Sequence, residues 1–372
     1  MAINHLYVHV PFCKAICYYC DFCHRVYDEK LADKWLARIS REVEENCQDQ
    51  YETIYIGGGT PTSLSDEQLN RLLDMLDPFT ANVIEYTIEV NPESLDQNKI
   101  DIMKKHGINR VSMGLQTADD DLLKTLGRKH SFNDVKDKIV LLKDNGISNI
   151  NIDLMYSLPG QTMEMLQETL DKVLDLDVPH ISLYSLTIEE NSVFGRKGIK
   201  TLDEDTEADM YELIEKTLSE KGYIHYEVSN YCLEGYESRH NLGYWNYDDF
   251  LGISLGAAGK TGNNRYTNTR SFEKYFNETD IRDEDLYLSR EEMMFENIMM
   301  SLRTIHGLNI NEFNMRYDAD FLSDYGKVIK KLRDDLIIKN GQILVKNMAL
   351  LHPLLLDFMD CIVADGDEQI MC

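Results

Sequence analysis

The sequence has few prolines and no long apolar run. Only seven of its 372 residues are proline and 43% are hydrophobic, so extended disorder is not expected. No run of about 18 apolar residues occurs, which argues against a membrane-spanning helix. The first residues, MAINHLYVHVPFC, lack the basic stretch and apolar core of a secretory signal. We therefore expect a cytoplasmic protein without an integral membrane segment.

Basic residues are also few compared with acidic ones. The chain has 38 lysines and arginines against 65 aspartates and glutamates, which gives a formal net charge of −27. Proteins bind nucleic acids and anionic membranes mainly through contacts of lysine and arginine with phosphate. The composition therefore argues against general binding to either, and we expect no nucleic-acid partner.

Cysteine is scarce, and half of it is concentrated in one short segment, PFCKAICYYCDFC. The clustered cysteines are Cys13, Cys17, Cys20 and Cys23. The scattered ones are Cys47, Cys232, Cys361 and Cys372. A disulfide framework is not expected in a large cytosolic chain. The clustered set therefore predicts a metal, cluster or redox site, whereas the scattered four are expected to be ordinary thiols.

Short β-rich runs alternate with helical stretches in the first half of the chain. The β-rich runs are at 6–10, 53–59, 85–91, 110–116, 149–158 and 180–188. Amphipathic segments with a helical period lie between them, for example at 30–47, 65–76, 132–146 and 163–176. This alternation predicts a parallel sheet with right-handed crossovers. We predict six β/α units in an open, partial barrel, with the functional residues at the C-terminal ends of its strands.

The pattern changes after about residue 205. A helix at 205–222 and a strand at 223–230 are followed by a stretch rich in glycine and aromatic residues. From about residue 289 the chain is mostly helical, and the pair Asn340-Gly341 predicts a hairpin at 337–345. We therefore predict three parts: a barrel domain at 1–205, an α+β extension at 206–285 and a mainly helical, winged-helix-like module at 286–372.

The spacing of the clustered cysteines narrows the chemistry. Structural zinc needs four ligands. Because Cys23 could join Cys13, Cys17 and Cys20, the number of cysteines leaves zinc as an alternative. Ferredoxin clusters favour C-x2-C-x2-C spacing and are fully ligated. The C-x3-C-x2-C spacing after a first strand, with Tyr19 before the last cysteine, is instead similar to the radical S-adenosylmethionine (SAM) signature. In that signature three thiolates hold a [4Fe-4S] cluster and SAM binds the open iron.

Further candidate residues lie where the predicted strands end. The segment 57–61, GGGTP, ends the second strand, and glycines there allow the backbone to approach a ligand closely. It resembles the segment with which radical SAM proteins bind the methionine amino end of SAM. Polar side chains near later strand ends suit ribose hydroxyls and an amino group, and the alternative for each is structural hydrogen bonding inside the barrel. They are Glu89, Gln116, Arg128 and Asp153.

Taken in order, these motifs resemble one family. YVHVPFCKAICYYCDF, GGGTPT, IEVNP, RVSMGLQ, LGRKH and NIDLMYSLPGQT are similar to the oxygen-independent coproporphyrinogen III oxidase-like group of radical SAM proteins, over roughly residues 5–360. The resemblance implies an α/β fold with a partial (β/α)6 radical SAM barrel, a small α+β region and a C-terminal, mainly helical, winged-helix-like module. It implies a [4Fe-4S] cluster on Cys13, Cys17 and Cys20, SAM as a cofactor, and an electron donor such as flavodoxin or ferredoxin. By position, the SAM site would be lined by Tyr7, Tyr19, Gly58, Gly59, Thr60, Glu89, Gln116, Arg128 and Asp153.

Two branches of this group differ in features that can be read in the sequence. The oxidases carry a further cysteine two positions after the last cluster ligand, and a long segment before the cluster loop. Here that position is Phe22, and twelve residues precede Cys13. The chain instead resembles the HemW-like heme chaperones, which carry H-N-x-x-Y-W, here His240 to Trp245. This branch implies binding of heme and its transfer to an acceptor protein.

His240 is the candidate heme ligand, because an imidazole can bind iron and the flat rings of Tyr244 and Trp245 can cover a macrocycle. A loop-capping role is the alternative for His240. The alternative for the whole chain is a radical SAM enzyme that decarboxylates a porphyrinogen or transfers a methyl group, and no catalytic residue is assigned. Relatives usually carry histidine at the position of Ala258, and Cys23 has no role in the family pattern.

Overall fold

The computed structural model describes residues 3–48 and 50–363 of the chain. The side chain of Cys361, the tail at 365–372 and the predicted thiol of Cys372 lie outside this description. A twelve-stranded sheet runs through the described residues. Its strands are β1 His5–Val10, β2 Thr53–Gly58, β3 Glu85–Val90, β4 Arg110–Gln116, β5 Ile150–Tyr156, β6 His180–Ser185, β7 Ile224–Glu227, β8 Asn230–Cys232, β9 Phe250–Ile253, β10 Ala258–Thr261, β11 Asn264–Asn268 and β12 Arg282–Tyr287. The spatial order is β12-β11-β10-β9-β1-β2-β3-β4-β5-β6-β8-β7.

Strands β1 to β6 are neighbours in chain order, and each pair of neighbours is parallel. Helices connect them, so the six predicted β/α units of the partial barrel are confirmed. In the described part of the chain the α-helices are α1 Glu29–Asn46, α2 Asp66–Leu76, α3 Gln97–Lys105, α4 Asp120–Thr125, α5 Phe132–Asp144, α6 Met163–Leu174, α7 Val193–Arg196, α8 Glu204–Glu220, α9 Arg239–Trp245, α10 Phe272–Asn277, α11 Arg290–Ser301, α12 Ile310–Tyr317, α13 Phe321–Asp324, α14 Gly326–Lys331 and α15 Leu351–Val363.

The observed helix limits follow from local capping. Ser65 lies just before α2, and its side chain accepts from the Gln68 N–H while the Gln68 side chain accepts from the Ser65 N–H. This capping box satisfies two free donors of the first turn, so α2 begins at residue 66. Two residues after α5, Gly146 has a φ of 86°, and this left-handed conformation stops the helix at little cost for glycine. The predicted limits are therefore wrong by only one or two residues.

Alternation along the barrel strands separates an apolar layer from a polar interior. In β4, Val111, Met113 and Leu115 are fully buried in the hydrophobic core between the sheet and its outer helices. The residues between them point the other way, and Ser112 contacts a carboxylate of β5 inside the barrel. Because side chains of a strand alternate between its two faces, each strand presents every second residue to the barrel interior. The interior is therefore lined by polar side chains.

The segment after the barrel extends the same sheet at both edges. Strand β8 pairs antiparallel with β6, and β7 pairs antiparallel with β8, whereas β9 pairs in parallel with β1. Strands β10, β11 and β12 then continue outward from β9 in antiparallel order. The region at 206–285 is thus a set of additions to the barrel sheet, and its separation as a domain stays a prediction.

The C-terminal part has its own apolar core. Seventeen buried hydrophobic residues between Met294 and Phe358 form a cluster apart from the barrel core. A small sheet accompanies it, formed by β13 Leu308–Asn309, β14 Leu336–Lys339 and β15 Gln342–Val345. Lys339 pairs with Gln342 across the turn, which confirms the predicted hairpin at Asn340-Gly341. No helix in the described residues, α15 included, is long and apolar enough to cross a lipid bilayer.

Candidate functional site

The cysteine loop leaves the C-terminal end of β1. Two short strands fix its base, because Phe12–Cys13 pairs in parallel with Arg25–Val26. In addition, the Arg25 N–H donates to Pro11 O at 2.9 Å. The loop is thus closed at its base and held at the barrel edge where strands β1 to β6 end.

The three candidate ligands of the loop lie together. Thr60 Oγ1 donates to Cys13 Sγ at 3.5 Å, and Arg128 Nη1 donates to Cys17 Sγ at 3.4 Å. Burial raises the pKa of the Cys13 thiol to about 12 and that of Cys20 to about 11, and the neighbouring thiols contribute to both shifts. The thiols of Cys13 and Cys20 are therefore protonated at neutral pH, and binding of a metal group would release their protons.

Cys23 contacts a different part of the protein. Its thiol donates to Arg270 O at 3.8 Å. It also packs against the turn between β9 and β10, where a Cβ atom on Gly256 would lie 2.6 Å from Cys23 Cβ. Ala258, the position at which relatives usually carry histidine, begins β10 and is exposed. The fourth cysteine is therefore held by the β9–β10 side of the sheet.

Arg128 links the cysteine loop to two strand ends. Besides its contact with Cys17, its Nη2 donates to Asn91 Oδ1 at 2.7 Å and to Gly114 O at 2.6 Å. Asn91 Nδ2 in turn donates to Thr60 Oγ1 at 2.8 Å. Arg128 Nε is buried and has no hydrogen-bond partner among the described residues. A buried cation beside the thiols therefore retains a donor for a ligand.

Glu89 lies in β3 beneath the glycine segment. Its two oxygens accept from Tyr55 OH at 2.8 Å and from the Gly58 N–H at 2.9 Å. Burial raises the pKa of Glu89 to about 7, and the charge of Asp153 adds to the shift. Glu89 is thus poised near neutral pH between its neutral and charged forms, next to backbone that a ligand can approach.

The glycine segment requires its glycines. Gly58 has a φ of 100°, and a Cβ atom there would lie 2.3 Å from the imidazole ring of His9. A Cβ atom on Gly59 would lie 2.6 Å from Phe12 O. The segment can therefore pack against β1 and the base of the cysteine loop only without side chains.

The remaining strand-end candidates also point into the barrel interior. Ser112 Oγ and Asn151 Nδ2 donate to the Asp153 carboxylate at 3.2 and 2.7 Å. Burial raises the pKa of Asp153. Gln116 is buried at the end of β4 with a φ of 78°, which is uncommon for a residue with a side chain. The interior thus holds two carboxyl groups, Glu89 and Asp153, whose burial favours the neutral form.

The two tyrosine candidates lie on opposite sides of the loop. Tyr7 OH lies 3.0 Å from His9 Nδ1, and His9 Nε2 lies 2.7 Å from Cys23 O. Because a carbonyl oxygen only accepts, His9 carries its proton on Nε2 and accepts from Tyr7 on Nδ1. Tyr19 lies beside Arg128, and burial raises its pKa although the arginine charge opposes the shift.

Two residues of this site were not predicted as ligand-binding residues. His9 follows Tyr7 by two positions on β1 and therefore faces the same side, which is a signal that the sequence does contain. Burial lowers the pKa of His9 to about 4, so it is neutral at physiological pH. Asn91 directly follows β3, and its position in the motif IEVNP is likewise readable. Its hydrogen bonds to Thr60 and Arg128 could be seen only in the structure.

His240 lies at the opposite end of the barrel from the cysteine loop. Its Nδ1 is 2.6 Å from Thr53 Oγ1 and its Nε2 is 2.8 Å from Tyr244 OH. The ring is almost fully buried, and burial lowers its pKa well below the ordinary value. Both nitrogens are thus occupied by protein hydroxyls, so this geometry gives no support to the heme-ligand prediction for His240. Its side-chain contacts are structural, with β2 and with its own helix α9, and not those of a loop cap.

Sequence comparisons agree with the fold. The family model of the radical SAM superfamily matches residues 7–173, and that of the HemN C-terminal domain matches residues 288–345. The heme chaperone HemW of Lactococcus lactis is 39% identical over 347 residues, which cover 91% of this chain and 92% of that protein. The heme chaperone HemW of Bacillus subtilis is 35% identical over 351 residues, 90% of this chain and 93% of that protein.

A solved structure shows the same architecture. Coproporphyrinogen III oxidase (HemN) from Escherichia coli, a radical SAM enzyme, superposes with a TM-score of 0.84 at 22% sequence identity, over 96% of this chain and 90% of that chain. This likeness establishes the α/β radical SAM fold with its C-terminal helical region. Together with relatives up to 39% identical over almost the whole length, it leads to one conclusion: the chain belongs to the HemW heme chaperone family of radical SAM proteins.

Proposed function

We propose that this protein binds heme and passes it to an acceptor protein, and that its barrel carries a [4Fe-4S] cluster with SAM at the open iron. The observation that carries the heme role is the 35–39% identity, over about nine tenths of both chains, to proteins named heme chaperones. The identity of the acceptor is not part of the proposal. The cytoplasmic location expected from the sequence stays a prediction.

The cluster would be held by Cys13, Cys17 and Cys20. Two observations support this set: their grouping at the strand ends, and hydrogen-bond donors aimed at two of the thiols. Hydrogen bonds from Thr60 and Arg128 stabilise negative charge on sulfur, which a thiolate ligand requires. Cys23 would remain a free thiol, because it contacts Arg270 O and the β9–β10 turn.

SAM would bind along the ends of β2 to β5. Gly58, Gly59 and Thr60 would present backbone to the methionine end of SAM, and the buried Arg128 would face its carboxylate with the unused Nε donor. Glu89 and Asp153 would accept from the amino group or the ribose hydroxyls.

Bound in this way, the cluster supplies electrons to SAM, and an electron donor such as flavodoxin or ferredoxin would reduce it. Residues of β1 hold the loop in place. His9 is neutral and donates to the loop backbone at Cys23 O, so it fixes the loop without adding charge. Tyr7 OH donates to His9 Nδ1, so a chain of hydrogen bonds runs from the loop through His9 to Tyr7 in the barrel interior. Any radical substrate would enter the same interior.

Porphyrinogen decarboxylation is the main competing function. The oxidases carry a cysteine where this chain has Phe22, and that side chain is 70% exposed beside the cluster loop. An exposed phenylalanine cannot replace a thiol in acid–base or redox chemistry. Phe22 therefore supports the chaperone over the decarboxylase, and it has no bearing on methyl transfer.

An anaerobic heme titration tests the proposal. Reconstituted protein is titrated with heme and followed by absorbance, while coproporphyrinogen III conversion and SAM cleavage are assayed on the same sample. We expect saturable binding of about one heme per chain and no decarboxylated product. Decarboxylated product without saturable heme binding would contradict the proposal and would assign the chain to the enzyme branch.

A further inference from the structure

A buried arginine lies in the barrel interior beneath the proposed SAM site. Arg110 begins β4, and it faces the interior because Ser112, two positions later, contacts a carboxylate there. The strand register places Arg110 beside Thr87, in the row of paired residues directly beneath Glu89 and Ser112. Successive rows are two residues, or about 7 Å, apart along a strand. Arg110 therefore lies inside the barrel but below the residues that are proposed to bind SAM.

The charge of this arginine has no partner in the described part of the chain. Arg110 is only 2% exposed, and its Nε is buried without a hydrogen-bond partner among these residues. Within 3–48 and 50–363, no carboxylate oxygen lies within 4.0 Å of its guanidinium nitrogens. A guanidinium stays charged in proteins, and a buried charge without a partner is strongly destabilising. A bound anion would therefore stabilise Arg110.

The ionisable groups around Arg110 do not neutralise it. Burial lowers the pKa values of His180 and His240, and the charge of Arg110 adds to both shifts, so both rings are neutral. The carboxylate of Glu85 already accepts from helix α9 and its capping serine. Asp153 likewise accepts from donors on β4 and β5. The nearby carboxyl groups therefore have hydrogen-bond donors of their own.

A hydroxyl without a partner lies beside the arginine. Thr87 is fully buried in β3, opposite Arg110 in the register, and its Oγ1 makes no hydrogen bond with the described residues. A hydroxyl and a guanidinium side by side can both donate to one carboxylate. On the β5 side of Arg110, Asn149 Oδ1 also lacks a partner, and its amide can turn to present its NH2 group instead. Neighbouring strands thus bring several unused donors to one row.

We propose that Arg110 and Thr87 bind the carboxylate of a second molecule in the barrel interior. The inference rests on the proposed function, since it takes SAM to bind at the strand ends and names the class of molecule that shares the barrel with it, a carboxylic acid. Tyr184 faces the interior from β6 and is 43% exposed, so a ligand can enter above Arg110. A molecule held by its carboxylate on Arg110 would extend past Glu89 toward the SAM site.

Unfolding in urea with added propionate tests this site, because a ligand that binds the folded state stabilises it. The reconstituted protein is unfolded anaerobically with SAM present, and propionate is compared with propionamide, its uncharged analogue, at constant ionic strength. We expect propionate, and not propionamide, to raise the wild-type midpoint in a saturable way. Arg110→Met should not respond. Arg41→Met is the control, because Arg41 is exposed on α1, and it should respond as the wild type does.

The stability of Arg110→Met without propionate separates a ligand-binding arginine from a structural one. This variant should unfold at a higher urea concentration than the wild type, because an apolar side chain of similar length replaces an unpaired buried charge. Should it fail to fold, Arg110→Lys keeps the charge without the planar pair of donors and should respond to propionate more weakly than the wild type. If propionate does not shift the wild-type midpoint, the proposal is wrong. Lower stability of Arg110→Met without propionate would also overturn it, since the arginine would then be structural.

Chloride and SAM distinguish the remaining cases. An equal rise of the wild-type midpoint with chloride would show a general anion site and would overturn the assignment to a carboxylate. SAM binding is followed separately by electron paramagnetic resonance of the reduced cluster. If SAM does not change that signal in the wild type, the proposed SAM site fails. If SAM changes the signal but propionate has no effect on unfolding, the SAM site stands and only the carboxylate site is wrong.

Discussion

The two ends of the barrel interior use polar side chains in opposite ways. Where the strands begin, Thr53 Oγ1 contacts the rings of both His5 and His240, at 2.8 and 2.6 Å. The carboxylate of Glu85 there accepts from the Arg239 and His240 N–H groups at 2.9 and 3.0 Å. Helix α9 is therefore held across this end by hydrogen bonds, although the ring nitrogens His5 Nε2 and Trp245 Nε1 are buried there without a partner among the described residues.

Where the strands end, a buried hydrogen-bond donor has no partner and a buried carboxyl group is only partly ionised at neutral pH. Arg128 Nε lacks a partner among the described residues, and the carboxyl group of Glu89 has a pKa raised to about 7 by burial. The backbone at Gly58 and Gly59 is bare of side chains. Unpartnered buried atoms thus occur at both ends, but where the strands end the unpartnered donor belongs to a charged arginine beside a thiol and bare glycine backbone. We therefore expect structural contacts at the end where the strands begin, called the closed end, and ligand binding at the end where they finish, called the open end.

The largest expected effect concerns the thiols of the open end. Substitution of Cys13, Cys17 or Cys20 by alanine should each abolish the cluster, because three ligands are the minimum for the proposed site. Cys23→Ala should retain it, since its thiol contacts Arg270 O. Iron and sulfide content after anaerobic reconstitution measures the outcome. An equal loss in Cys23→Ala would show that the ligand assignment is wrong.

The next effect concerns the backbone of the open end. Gly58→Ala should destabilise the protein by about 3–5 kcal/mol, from left-handed strain and a clash with His9. Gly146→Ala is the matched control, because its φ of 86° is similar but nothing lies within 4 Å of the new Cβ atom. We expect the control to lose only about 1–2 kcal/mol in urea unfolding. Equal losses would mean that close packing at Gly58 contributes nothing.

At the closed end, His240→Ala should cost about 2–4 kcal/mol of stability, because it leaves a cavity and two unsatisfied hydroxyls. The exposed His306 offers a control, and His306→Ala should change stability by less than about 0.5 kcal/mol. Heme affinity of the folded His240→Ala protein should equal that of the wild type. If His240→Ala kept its stability but lost heme binding, His240 would be a heme ligand and the closed end would be a binding site.

The smallest effect is a dependence on pH at Glu89. Its pKa of about 7 in the folded protein exceeds the usual 4.5. The unfolded chain thus releases this proton first, and stability from the neutral carboxyl is complete below about pH 4.5 and lost as the pH rises to about 7. Between these values the cluster-free wild type should lose about 1–3 kcal/mol relative to Glu89→Gln. Parallel stability curves for the two proteins would show that Glu89 ionises freely.

The candidates at the open end could be read from the sequence more readily than the contacts of the closed end, and the reason is physical. Ligand-binding glycines, thiols and strand-end polar residues sit in short contiguous motifs, so Cys13 to Cys20 and 57–61 could be read directly. The contacts of His240 could not be read in this way, because its partners Thr53 and Tyr244 come from a distant strand and from its own helix. Contacts with a sequence separation of 187 residues leave no local pattern. The strand order beyond β6 was likewise unreadable, since β9 returns to pair with β1.

The most direct test of the central claim is electron paramagnetic resonance of the reduced, reconstituted protein before and after addition of SAM. A cluster on Cys13, Cys17 and Cys20 has one iron open to SAM, so the g-values of its reduced form should shift when SAM is added. The Cys23→Ala protein should show the same shift. A cluster signal that SAM leaves unchanged would contradict the assignment of the open end as a SAM site.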